Sequence, residues 1–251
     1  MSAPQNSPTQ NHLLASLPKA EFDRLAEHLE PVEMKVGDTL YESHGRLRHV
    51  YFPTTSIVSL LYVLEDGASA EIAVVGNEGI LGIALFMGGE TTPNHAVVQS
   101  AGHGYRLKAA LLNKEFSRAG PVLRILLRYT QALTTQMAQT AVCNKYHPVD
   151  QQLCRWMLMT LDRSPTHTLT ITHELISNML GVRRESITQA LGKLSRDELV
   201  RSSRGRITLL DRPGMEKSVC ECYDVVKKEY ERLITDIPKH DPQHVLGLSS
   251  G

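Results

Sequence analysis

The sequence predicts an α+β protein in which an antiparallel β-domain comes first, one long helix follows, and a small domain of short helices with a hairpin comes last. Three observations predict it. Between residues 31 and 107, short runs rich in Val, Ile, Tyr and Leu alternate with Gly, Asp, Asn and Pro, as strands joined by tight turns do. From Pro121 the apolar residues recur at helical spacing without a break until His147-Pro148. Between Thr168 and Asp211, two short amphipathic segments meet at Gly181 and a basic hairpin pattern follows.

Residues 1–12 are rich in Ser, Pro, Gln and Asn and are expected to be a flexible tail. Leu13 to Leu29 reads as two amphipathic pieces with Leu13, Leu14, Leu17, Phe22, Leu25 and Leu29 inward, ended by Pro31. Strands are expected at Val32–Met34, Thr39–Tyr41, His49–Phe52, Ile57–Leu64, Ser69–Val75, Ala96–Gln99 and Gly104–Leu107. Glu65-Asp66-Gly67 and Gly76-Asn77-Glu78-Gly79 supply tight reversals. A short helix over Lys108–Arg118 is broken by Gly120-Pro121. The long helix, from Pro121 to about Asn144, places Leu126, Leu133, Met137, Ala141 and Val142 along one side. That stripe is too interrupted by Thr and Gln for a buried core and suits a dimer seam. Val149–Asp162 is a further helix with Leu153, Trp156, Met157 and Leu161 inward, and Met215–Ile237 reads as one final amphipathic helix before a polar tail. The division expected is a β-domain over 13–120, a dimerisation helix over 121–146, a helical domain over 147–214, and a C-terminal helix and tail over 215–251.

The richest stretch lies between Thr168 and Asp211. Thr172 can cap a helix whose inward residues are Ile176, Met179 and Leu180, and Gly181 permits the left-handed backbone that ends it. A second helix, about Arg183 to Ser195, turns Ile187, Ala190, Leu191 and Leu194 inward. Its first turns leave Arg184, Glu185, Thr188 and Gln189 free, where a recognition helix meets base edges in a major groove. Leu199 to Leu210 reads as a wing whose tip, Ser202-Ser203-Arg204-Gly205-Arg206, suits a phosphate backbone. Between Gly181 and Arg206 the bases Arg183, Arg184, Lys193, Arg196, Arg201, Arg204 and Arg206 face only Glu185, Asp197 and Glu198, in a chain whose formal net charge is zero. A local positive field on a neutral protein points to a polyanion, here double-stranded DNA.

With 251 residues the chain can bury two cores, and no apolar run reaches membrane-spanning length. The opening MSAPQNSPTQN has neither a basic flank nor an apolar signal core, so a cytoplasmic protein with no membrane partner is expected. Four cysteines, unevenly placed, do not form a disulfide framework and are expected as free thiols. Cys143 and His147 are an incomplete metal pair beside the helix-ending Pro148. Cys220-Glu221-Cys222 is too short for a redox motif, because residues two apart on a helix diverge. No metal site and no required cofactor are therefore expected, with a redox, metal or haem sensor using Cys143 and His147 kept as the alternative. There is no phosphate loop, nucleophile elbow or paired-His metal motif, so an enzyme is not expected.

The order of domains, together with Gly181-Val182-Arg183-Arg184-Glu185-Ser186 and, more weakly, Val36-Gly37-Asp38-Thr39-Leu40-Tyr41 and Tyr51-Phe52, resembles the Crp/Fnr superfamily of bacterial transcription regulators over about residues 13–212. The resemblance implies an N-terminal antiparallel β-roll of cyclic-nucleotide-binding type, a dimerisation helix and a C-terminal winged helix-turn-helix. It also implies a homodimer that binds DNA, RNA polymerase as a partner, and a small-molecule effector. Arg184 matches the family's guanine-reading Arg, Glu185 its cytosine-reading Glu, and Ser186 a phosphate-contacting hydroxyl. Gln189 departs, since many members carry a second base-reading Arg there, and Gln pairs better with adenine. The family's ribose-holding Glu and phosphate-binding Arg are missing from the stretch Gly79 to Val97, so cyclic AMP is not the expected effector. An altered pocket is expected around Gly79, Leu81, Gly82, Asn94 and His95.

Overall fold

The computed structural model of the protein describes residues 7–235. After a 3₁₀ turn at Pro8–Gln10 come two short helices, α1 (His12–Ala15) and α2 (Lys19–Ala26). Asn11, expected in a flexible tail, is fully buried. Its side-chain carbonyl accepts from Leu13 N and Leu14 N, and its amide donates to the carbonyls of Pro53 and Gly79 at 2.9 and 2.8 Å. A buried amide satisfied on both sides fixes the chain at the β-domain. The proposed tail thus stops short of residue 8, and its first six residues lie outside the described ones.

Seven strands follow: β1 (Glu30–Met34), β2 (Thr39–Tyr41), β3 (His49–Pro53), β4 (Ile57–Val63), β5 (Ser69–Val75), β6 (His95–Ser100) and β7 (Gly102–Lys108). They form two antiparallel sheets ordered β1-β7-β3 and β2-β6-β4-β5. Every expected strand is present: β1, β3, β6 and β7 run one or two residues further than expected, and β4 ends at Val63, one residue short of the expected Leu64. Pro31, read as a helix stop, sits inside β1 opposite Tyr105. The inner faces bury Val50, Phe52, Val58, Leu60, Val98 and Leu107 in one core.

After α3 (Ala109–Phe116), the long helix α4 runs from Pro121 to Tyr146. Its buried side carries Val122, Ile125, Leu126, Tyr129, Ala132, Leu133, Gln136, Thr140 and Cys143. Leu126 and Leu133, read from the sequence as part of a dimer seam, instead pack into the chain's own core, and Met137 is half-buried against it. Ala141 and Val142 do lie on the open side. That open side carries Leu127, Gln131, Thr134, Ala138, Ala141 and Lys145, which recur at alternating steps of four and three. Such spacing is a heptad repeat beside the stripe first read, whose larger residues pack on the β-domain, and within it Gln131 Nε2 donates to Glu229 of the later helix at 3.2 Å.

The C-terminal domain comprises α5 (Val149–Leu161), β8 (Thr168–Thr170), α6 (His173–Leu180), α7 (Arg184–Arg196), β9 (Val200–Ser203) and β10 (Arg206–Leu209), its sheet ordered β8-β10-β9. The expected single final helix is two: α8 (Arg212–Ser218), capped by Asp211, and α9 (Glu221–Tyr230), separated at Val219-Cys220 and continued by a π-helical turn, Glu231–Thr235. Asp211 accepts from Gly214 N, and Pro213 at the start favours helical φ, so a helix begins earlier than its apolar periodicity. The remainder of that predicted helix and the polar tail lie outside the described residues.

The domains are closely joined. α6 lies on β5, with Met179 Sδ 3.6 Å from Ser59 Oγ. Arg163, just past α5, pairs through Nε with Glu78 of the β-domain at 2.7 Å, and its guanidinium stands 5.6 Å from the centre of the Tyr230 ring. α9 returns along α4, where the Tyr129 and Tyr230 rings meet edge to face at 6.3 Å. Among the described residues no helix is long and apolar enough to cross a membrane.

Candidate nucleic-acid interface

Thr172 stands at the N-cap of α6, where its hydroxyl accepts from Leu175 N at 3.2 Å. A cap of this kind is worth about 1 kcal/mol. At the other end Gly181 adopts φ 65°, and Val182 N reaches back to the Ser177 carbonyl at 3.0 Å. Left-handed backbone at one residue turns the chain sharply, so α7 starts only three residues later. Ile187, Ala190, Leu191 and Leu194 are buried, which seats α7 by its inner stripe and leaves its first turns outward.

Arg183, Arg184, Glu185, Thr188 and Gln189 are exposed there, and Ser186 is half-buried. Thr188 Oγ1 donates to the Arg184 carbonyl at 3.2 Å and lies equally far from His173 Nδ1, so its hydroxyl is held rather than free. The side chains of Arg183 and Arg184 make no hydrogen bond or ion pair among the described residues, nor do those of Arg196, Arg201, Arg204 and Arg206. Lys193 differs: it pairs with Asp150 of α5 and so belongs to the domain's internal packing.

The wing is a two-residue hairpin in which Ser203 pairs with Arg206. Arg204 and Gly205 both take positive φ, 28° and 75°. Two consecutive positive values match the turn whose twist fits a right-handed strand pair. Gly205 meets this without strain, whereas Arg204 pays for its place with the crowding of a Cβ in left-handed backbone. The wing tip therefore projects a charge that local conformation alone would not select.

The β-domain carries a pocket of about 350 Å3 against α4. Tyr41, Leu60, Ile80, Leu81, Gly82 and Asn94 contribute to its wall, and Leu133 and Met137 of α4 close it. No lining residue is charged. Of the pocket residues read from the sequence, Leu81, Gly82 and Asn94 line it. Gly79 instead lies against Tyr129, and His95 turns to Glu42 with Nδ1 2.8 Å from the carboxylate. Arg46, on the loop before β3, is occupied by Glu90 at 2.9 Å. Burial pushes the Tyr41 phenol up, so it stays protonated. Asn94 Oδ1 is buried with no hydrogen-bond partner. The cavity can thus hold an apolar, uncharged guest offering one donor, while an anion would find no compensating charge. Sequence reasoning missed Tyr41 and Met137, because the wall is assembled from a strand, a loop and a helix far apart along the chain.

A second cluster lies where α4 ends. Cys143, His147, Cys220 and Cys222 bring one ligand atom each within 4.8 Å of one another. Cys143 Sγ is 3.6 Å from Cys220 Sγ, and Cys222 Sγ is 3.6 Å from His147 Nδ1. The argument that Cys220 and Cys222 must diverge assumed both lay inside a helix. Cys220 is the extended N-cap of α9, with ψ 162°, so its side chain swings back beside that of Cys222.

Comparison with known proteins follows the same division. Residues 151–218 match the family model described as the Crp-like helix-turn-helix domain. The global nitrogen regulator of Synechococcus elongatus is 21% identical over 214 residues, covering 80% of this chain and 94% of that protein. Among solved structures, one described as a Crp/Fnr-family transcriptional regulator from Eubacterium rectale aligns with TM-score 0.64 at 19% identity, covering 82% of this chain and 96% of that one. FixK2 from Bradyrhizobium japonicum aligns with TM-score 0.63 at 16% identity, covering 76% and 98%. Likeness at this identity concerns the fold, and both neighbours are covered almost end to end.

Proposed function

We propose that the chain, which has the fold of Crp/Fnr regulators and matches the Crp-like helix-turn-helix domain over residues 151–218, is a transcriptional regulator that binds a two-half-site duplex as a homodimer. In this reading α7 enters the major groove. Arg184 offers its fork to guanine O6 and N7, Glu185 accepts from cytosine N4, and Gln189 selects adenine. Arg183, Ser186 and Thr188 flank these contacts, and Arg204 and Arg206 set the wing against phosphate. Two copies meet along the open side of α4, so their recognition helices lie about one helical turn of DNA apart.

The β-domain cavity takes a small uncharged effector rather than a cyclic nucleotide. Because Leu133 and Met137 belong to both its wall and α4, occupancy bears directly on the dimer helix. An effector shifts the regulator only by its preference for one arrangement over the other. RNA polymerase is the partner through which bound regulator would act.

The observation carrying this reading is the continuous set of unpaired arginines from the first turn of α7 to the wing tip. Selection of bound sequences from a random duplex pool tests it. A two-fold symmetric motif with a G·C-reading position in each half, bound with an affinity that falls steeply with salt, is expected. Recovery of unselected sequences would overturn the assignment of α7 as a reading helix.

A further inference from the structure

We propose that Cys143, His147, Cys220 and Cys222 form a tetrahedral zinc(II) site that fastens the end of α4 to the start of α9. The residues come from two segments that meet only through the fold: the last turn and C-cap of α4, and the junction before α9. All three cysteines are buried, and the His147 side chain is 16% exposed.

The spacing decides among the uses of such a cluster. Zinc bonds of about 2.3 Å to sulfur and about 2.0–2.1 Å to nitrogen, at tetrahedral angles, hold sulfurs about 3.8 Å apart and sulfur from nitrogen about 3.5 Å. Both separations found here, Cys143 to Cys220 and Cys222 to His147, are 3.6 Å. A disulfide needs the sulfurs at about 2.05 Å, which would leave Cys222 and His147 with no part in the arrangement. An iron–sulfur cluster interposes several irons and sulfides between its cysteines and requires them farther apart than a set held within 4.8 Å.

The surroundings fit a bound metal as well. His147 presents Nδ1 to the cluster, while its Nε2 stands 3.5 Å from the Glu221 carboxylate. An imidazole that gives one nitrogen to a metal characteristically donates the N–H of the other to a carboxylate, which fixes its tautomer. Three thiolates and an imidazole around Zn2+ carry a net charge of −1. The α9 N-terminus lies beneath them, and Arg155 is buried within electrostatic reach of Cys143 with its Nε unpartnered. Zn2+ would displace three thiol protons to solvent and form three Zn–S bonds and one Zn–N bond, with no change of oxidation state. Four protein ligands leave no open position, so the metal holds structure rather than activating water. All four ligands lie outside the Crp-like match at residues 151–218.

Metal analysis of the full chain, purified without chelator, tests the site, with about one zinc per chain expected. Replacement of that zinc by Co2+ should give the intense visible bands and near-ultraviolet thiolate charge transfer of tetrahedral cobalt, abolished by added Zn2+. Cys222→Ser and His147→Gln should each lose most of the metal, whereas Cys154→Ala, outside the cluster, should keep it. Should those variants fail to fold, the cobalt spectrum of the unaltered chain still decides. A metal-free chain that yields only octahedral cobalt bands, or a Cys143–Cys220 disulfide found by mass spectrometry in its place, overturns the proposal.

Discussion

At the scale of single residues, the first turns of α7 expose Arg184 and Glu185 while Ile187, Ala190 and Leu191 are buried beneath them. Arg184→Ala should lower discrimination at one base position by about 1–3 kcal/mol while leaving the fold intact. Competition binding against duplexes varied at that position measures this, and an unchanged preference would remove Arg184 from the reading set. Glu71 on β5 raises a different matter. It is buried, accepts from Ser59 Oγ at 2.5 Å, and faces the positive charges of Arg155 and Arg163. Burial pushes its carboxyl up to about 7, with the Ser59 hydroxyl and the two guanidinium groups pulling part of the way back. A carboxyl that holds its proton more tightly folded than unfolded makes stability fall as pH rises from about 4.5 toward about 7, and level off above. The cost at neutral pH is on the order of 3 kcal/mol. Glu71→Gln keeps the shape and an acceptor for Ser59. Denaturant titrations across this range should therefore lose their downward slope, with a net gain in stability near pH 8. A slope equal to that of the unaltered chain would show that another group sets it.

At the scale of elements, the open side of α4 makes its own prediction. Ala138 lies in the middle of the heptad set, where a small residue lets two helices approach closely. In a two-fold dimer Ala138→Arg brings two like charges together across the seam. Sedimentation should then show monomers at concentrations where the unaltered chain is dimeric, with full-site affinity down by about tenfold or more. An unaffected dimer would move the seam elsewhere. The elements were largely legible because each carries a local signal. Asp66-Gly67 sets the β4–β5 hairpin, Thr172 and Gly181 bracket α6, and Pro148 separates α4 from α5. Where the signal was weak, the reading erred in a definable way. Val219-Cys220 contains no helix breaker, so α8 and α9 read as one helix. On α4 the larger side chains dominate periodicity, and periodicity cannot tell a face that packs on its own domain from one that awaits another copy.

At the scale of the whole molecule, the helix, turn and wing of the C-terminal domain were readable because they are contiguous. The cavity and the thiol cluster were not, because each is made by segments that meet only through the fold. Leu81 and Asn94 were found by position in the chain, but Tyr41 and Met137 carry no mark of facing them. The path of the chain adds one mechanical consequence. The DNA-binding domain leaves α4 at His147-Pro148, and after the wing the chain comes back to that same helix. Cys220 and Cys222 sit beside Cys143, and Arg128 then donates to the carbonyls of Leu233 and Arg232 at 2.6 and 2.8 Å. The first return lies at the very end of α4 and the second far back along it, while Met179 and Arg163 hold the same domain to the β-domain. Any shift of α7 relative to α4 must therefore break or remake contacts in both domains at once.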